Sequence, residues 1–204
     1  MKKATYIWAV TMAGLMGASA IAASAHAQPG IYVRNITHAG TGCAAGSLDV
    51  ELRDEGAVLA LGFDDFTASA GRGEPLSNSR KACQLLIDIV KPDGLQFRLR
   101  SVAFEGYYSL GYSASAQIKT TTYFQGQSAQ ATSTVDLFGP DSDYIADQAD
   151  FNGGVWSPCH TNRALNIKIS AAVRAYSNAS GEVTLLGPLG VDPSTIRLEW
   201  RRCN

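Results

Sequence analysis

Four aspartates, Asp141, Asp143, Asp147 and Asp150, crowd into one short stretch that opens with Gly139-Pro140 and closes with Asn152-Gly153-Gly154. Alternating carboxylates on a flexible segment supply the hard oxygen donors that a calcium ion takes; no cofactor is expected, and calcium is the alternative this stretch offers. An EF-hand loop would need Gly at its sixth position and Glu at its twelfth, where this chain has Ala146 and Asn152, so the competing expectation is a solvated acidic loop. A second acidic pair, Asp64-Asp65, stands between Phe63 and Phe66. Strand alternation would set one aspartate beside each aromatic, calling for a salt link to Arg80 or Lys81. Carboxylates facing each other across a cleft would instead suit glycoside hydrolysis.

Nucleophilic chemistry has little to work with. No G-x-S-x-G occurs, and beyond the N-terminal segment the histidines are His38 and His160. Aromatics are better supplied: Phe104, Tyr107, Tyr108, Tyr112, Tyr123 and Phe124 gather in one third of the chain among Ser, Thr, Gln and Gly. Tyr107, Tyr108, Tyr112 and Tyr123 on an exposed sheet face would form a stacking platform for a sugar polymer or a protein partner; the alternative is that half of these rings fill the core. Trp156 and Trp200, close to Cys159 and Cys203, are expected to pack on a disulfide.

The elements that must position these groups read as strands. Leu48, Val50 and Leu52 alternate with Asp49, Glu51 and Arg53 before Asp54-Glu55-Gly56 turns into 58–63, a hairpin with one wet face. Cys83, Leu85, Ile87 and Ile89 form a second apolar row. Lys91-Pro92-Asp93-Gly94 then turns into Leu95, Phe97 and Leu99, which predicts another hairpin. Leu165 to Val173 and Ile196 to Trp200 alternate in the same way, 112–138 has the composition of exposed strands and loops, and 139–154 is the expected long loop. Without a 3.6-residue stripe or a solenoid repeat, the expected class is all-β, an antiparallel β-sandwich or jelly roll stapled by two disulfides.

At the N-terminus, Lys2-Lys3, an apolar run from Ile7 to Ala23 and Ala25-His26-Ala27 have the form of a signal peptide, residues 1–27, cut before Gln28. Residues 28–204 are then a single secreted domain, extracellular, or periplasmic in a host with an outer membrane. No later segment approaches the ~20 apolar residues of a membrane helix, so no span is expected after cleavage. With 17 Lys and Arg against 18 Asp and Glu, and basic runs beyond the signal segment only at Arg80-Lys81 and Arg201-Arg202, the chain lacks the cationic surplus of a nucleic-acid binder. All four cysteines, Cys43, Cys83, Cys159 and Cys203, lie beyond the signal, without a C-x-x-C spacing. In an exported chain that favours disulfides over metal.

Five ordered motifs surround these cysteines: Gly40-Thr41-Gly42-Cys43 with Gly46-Ser47; Phe63-Asp64-Asp65-Phe66; Ser79-Arg80-Lys81-Ala82-Cys83-Gln84-Leu85; Val155-Trp156-Ser157-Pro158-Cys159; and Leu198-Glu199-Trp200-Arg201-Arg202-Cys203. With them the chain resembles the secreted family catalogued as domain of unknown function 4360, found in bacteria and fungi. Ala44 stands where Pro is expected and Ala82 where Asn is expected. The resemblance implies an exported single domain with four paired cysteines and no particular reaction. Of the three pairings open to four cysteines, Cys43–Cys83 with Cys159–Cys203 is the one expected, each closing a loop of about forty residues; Cys43–Cys203 with Cys83–Cys159 is the alternative. The function expected is non-catalytic binding of a surface glycan, matrix polymer or envelope protein. The alternatives are a carboxylate-dependent polysaccharide hydrolase and a structural or adhesive surface protein without a discrete site.

Overall fold

The computed structural model describes residues 30–145, 148–185 and 194–203. The proposed signal segment and its cleavage site, and Asp147 of the acidic stretch, lie outside them. Fourteen strands account for most of what is described: β1 (Tyr32–Ala39), β2 (Leu48–Arg53), β3 (Val58–Phe63), β4 (Phe66–Gly71), β5 (Arg80–Val90), β6 (Leu95–Ala103), β7 (Gly106–Leu110), β8 (Ala114–Phe124), β9 (Ala131–Phe138), β10 (Asp141–Ile145), β11 (Gln148–Asp150), β12 (Leu165–Ala175), β13 (Ser180–Leu185) and β14 (Ser194–Arg202). Every ladder between them is antiparallel. Among the described residues no helix is long and apolar enough to cross a membrane.

Three sheets build two layers. The back sheet runs β1-β5-β12-β8-β9; front sheet I runs β10-β7-β13-β4, and front sheet II runs β11-β6-β14-β3-β2. The two front sheets continue one another, because β3 leads into β4, β6 into β7, β10 into β11 and β13 into β14, and the strand orders match. The front layer is therefore one surface broken along a line. Phe63 and Phe66 show how the sequence makes the break. A spacing of three cannot place both rings inside a period-2 strand, so the chain bends between them. Both rings are buried edge-to-face with centroids 5.2 Å apart, and Asp64 and Asp65 turn outward together. This corrects the expectation of one aspartate on each face: both are exposed, and the described ion pairs include none to Arg80 or Lys81.

The core lies between the layers. Every residue of β3 is buried, β12 and β8 bury alternate residues, and Phe97 of β6 meets Phe124 of β8 edge-to-face at 5.3 Å. The β2–β3 hairpin forms with Leu48 opposite Phe63. The second expected hairpin does not. β5 belongs to the back sheet and β6 to front sheet II, so Lys91–Gly94 carries the chain across the sandwich instead of folding it back within a sheet. The connection from β12 to β13 crosses in the same way. The expected loop at 139–154 is also corrected, since Asp141–Ile145 and Gln148–Asp150 are edge strands of the front layer. Edge strands face solvent, and charged side chains there discourage pairing with other chains, which accounts for aspartates in place of an apolar row.

Both disulfides adopt the expected pairing. Cys43–Cys83 ties the β1–β2 connection to β5 with Cα atoms 5.4 Å apart, and Cys159–Cys203 ties the 151–164 segment to the chain end at 5.9 Å. Around the second bridge Ser157 N–H donates to the Phe97 carbonyl (2.7 Å), Cys203 N–H to the Gly94 carbonyl (2.8 Å) and Lys91 Nζ to the Cys159 carbonyl (2.9 Å). Burial pushes the Lys91 ammonium pKa down, and the Asp93 charge partly opposes this. Trp156 packs under cations here: the Arg201 and Arg98 guanidinium carbons sit 3.8 and 4.9 Å from its ring centroid. Trp200 lies on Phe97 at 4.8 Å and donates its Nε1–H to the Gly56 carbonyl at 2.7 Å.

Candidate functional site

On front sheet I, strand alternation sends Gly106, Leu110, Val183, Leu185, Phe66 and Ala68 inward, leaving the intervening residues to form an outer face. The register aligns that face in two rows. Tyr144, Tyr107, Thr184 and Thr67 are successive cross-strand neighbours, and so are Ser142, Ser109, Glu182 and Ser69. Strands about 4.8 Å apart make each row roughly 14 Å long, the scale of an oligosaccharide. The seam between β7 and β13 is tight, since a Cβ at Gly106 would lie 2.1 Å from the Thr184 carbonyl oxygen.

The rows are internally ordered. Tyr107 and Tyr144 meet edge-to-face with centroids 5.0 Å apart, Ser142 and Ser109 hydroxyls lie at 2.7 Å, and Thr67 and Thr184 hydroxyls at 3.0 Å. Tyr107 is 54% exposed. The arrangement offers ring surface beside hydroxyls and the exposed Glu182 carboxylate, the combination that meets both the C–H and O–H faces of a sugar.

The four tyrosines singled out from the sequence do not share one platform. Tyr107 is on this face, and Tyr108 points the other way, half-buried against the core, with its hydroxyl donating to Asp141 Oδ2 at 2.6 Å. Tyr112 occupies the β7–β8 turn and is 80% exposed, while Tyr123 is on the outer side of the back sheet beside Asn166. Tyr144 belongs to the face but was masked in the sequence by the acidic residues around it. Its signal was the alternation Asp141, Asp143, Ile145 against Ser142, Tyr144.

Of the proposed calcium ligands, Asp141 and Asp143 share one side of β10 and are exposed, and Asp150 lies apart on β11. Asp141 Oδ1 accepts from the Ser142 N–H (2.9 Å), and Asp143 Oδ1 from the Tyr144 N–H (2.7 Å). Among the described residues no group of three or more His, Cys, Asp or Glu is placed to hold a metal ion. Asp64 and Asp65 form a solvent-facing turn at the break of the front layer, and His160 is exposed.

The sequence is similar to known ones over most of its length. A secreted protein of the fungus Arthroderma benhamiae, described as uncharacterized, is 35% identical over 179 residues, covering 85% of this chain and 72% of its own length. A family model described as domain of unknown function DUF4360 matches residues 29–203. All four cysteines, both disulfides and every strand of the sandwich fall within that match, and the chain belongs to the DUF4360 family.

Proposed function

We propose that the protein is a secreted, non-catalytic domain that binds a neutral polysaccharide on the outer face of front sheet I. The observation that carries this reading is the Tyr107–Tyr144 pair set in line with Thr184 and Thr67 and flanked by the Ser142–Ser109–Glu182–Ser69 row. Aromatic rings bury sugar C–H surface at low entropic cost, and hydroxyls at fixed cross-strand spacing fix the orientation of the polymer. A rigid sheet holds these groups in place before binding, which limits the ordering cost that association must overcome.

The test is co-sedimentation with insoluble cellulose, chitin and β-glucan, together with affinity electrophoresis on their soluble forms. At least one polymer is expected to retain the protein, and Tyr107→Ala/Tyr144→Ala to weaken retention by about tenfold or more, corresponding to about 1.4 kcal/mol. Failure to bind any of the panel, or binding that the double substitution leaves unchanged, refutes the assignment.

A further inference from the structure

The back sheet falls short at one corner. β5 begins at Arg80, opposite Ala172, whereas β12 continues to Ala175, so the last residues of β12 have no β5 neighbour. The turn Leu76–Ser79 overhangs the gap and leaves two adjoining clefts of about 490 and 390 Å³, which share Ala70, Leu76, Ser79 and Ala175. Arg80, Arg174 and Tyr176 line the first, and Arg72 lines the second.

Exposed arginines without an ion pair among the described residues also occur elsewhere, as at Arg163, Arg197 and Arg202, but three of them gather at this groove. Arg34, Arg53, Arg98 and Arg100 each pair with a carboxylate, whereas Arg72, Arg80 and Arg174 are exposed and belong to no ion pair among the described residues. The acid in the lining is Glu74, whose Oε2 accepts from Ser69 Oγ (3.0 Å) and Asn78 Nδ2 (3.2 Å) and is thereby held to its own loop. The lining therefore carries three arginines and one carboxylate. Tyr176 and Leu76, 63% and 86% exposed, add apolar surface to the walls.

We propose that this groove binds a uronate-bearing polysaccharide, with Arg80, Arg174 and Arg72 on the sugar carboxylates and the Tyr176 ring against a sugar face. Guanidinium forks match planar carboxylates in two parallel hydrogen bonds, and an open groove accepts a chain passing through it. The site adjoins the Ser69 end of the Tyr107–Tyr144 face through Glu74, uses neither of its rings and does not depend on the reading given above.

Binding is measured by calorimetry to polygalacturonate, to its methyl ester, which keeps the backbone and loses the charge, and to phosphatidylglycerol vesicles. Polygalacturonate is expected to bind at low salt and to weaken as salt screens the charges. Its methyl ester should bind at least about tenfold more weakly, as should the Arg80→Glu/Arg174→Glu variant toward polygalacturonate. Tyr107→Ala/Tyr144→Ala should bind polygalacturonate as the parent does, and thermal melts of both variants establish that they are folded. Equal affinity for the methyl ester, undiminished binding by the folded arginine variant, or binding to vesicles without binding to polygalacturonate overturns the proposal.

Discussion

At one end of the sandwich the chain terminus, the 151–164 segment and the β5–β6 turn are drawn together by Cys159–Cys203, by backbone hydrogen bonds from Ser157 and Cys203, and by Trp156 beneath two arginines. At the opposite end four connections between the back sheet and front sheet I, at 72–79, 111–113, 139–140 and 176–179, carry no disulfide. They are linked by backbone contacts such as Tyr176 N–H to the Ser113 carbonyl and Gly111 N–H to the Ser180 carbonyl. Most exposed large apolar side chains follow the same division: Leu76, Tyr112, Phe138 and Tyr176 lie at this second end, and Tyr32, opposite Val90, is exposed at the first. The first end uses Trp156 and Trp200 for packing, and the second presents most of its large rings to solvent. A protein that binds through its surface needs both, a fastened base and an end whose side chains are left available.

The largest expected effect breaks the fastened end. Cys159→Ala/Cys203→Ala should lower the unfolding free energy in urea by roughly 4 kcal/mol, the chain-entropy value for a loop of this length; a loss below about 1 kcal/mol would show that the hydrogen bonds alone hold the terminus. At the opposite end, Gly139→Ala tests the backbone contacts. Its Cβ would lie 2.2 Å from the Gly111 carbonyl oxygen, so the turn must shift at a cost of about 1–3 kcal/mol, read from the same urea titration.

Lys91 sharpens the comparison through pH. Its folded pKa lies below the ordinary value, so below both pKa values the lysine is charged in both states and the folded state bears the full desolvation cost. As pH rises through the folded pKa, the native state releases the proton first, and stability relative to Lys91→Met increases until the unfolded lysine also deprotonates. Stability measured for both proteins across the alkaline range checks the sign, and a difference that falls with pH contradicts it. The smallest effect belongs to the exposed rings: Tyr112→Ser/Tyr176→Ser should change stability by no more than about 0.5 kcal/mol. A larger loss would make these side chains part of the scaffold.

The β2–β3 hairpin was legible because a short turn joined two alternating segments that do pair. The segment from Cys83 to Leu99 carried the same signs, yet β5 and β6 lie in different layers. Alternation reports that one face is buried and says nothing about which strand is the neighbour, and Lys91–Gly94 serves either connection. The disulfide pairing could be read because each bridge joins cysteines of moderate separation beside strands. The acidic stretch misled for a physical reason: an edge strand whose first three residues are all exposed has no apolar row to reveal it, and this concealed Tyr144. Phe63 and Phe66 held the clue to the broken front layer in their spacing of three, which a single straight strand cannot accommodate.

That break has a dynamic consequence. Front sheets I and II share the back sheet as a partner but have separate ladders, and neither disulfide has a cysteine in front sheet I. Its amides are therefore expected to exchange through a partial opening of that sheet, and those of β6 and β14, next to the Cys203 bridge, through an event closer to global unfolding. Hydrogen exchange should resolve two cooperative units along the same strands, with the boundary at Asp64-Asp65 and Phe104-Glu105. The half that carries Tyr107 and Tyr144 would then be the half whose protection a bound ligand raises most.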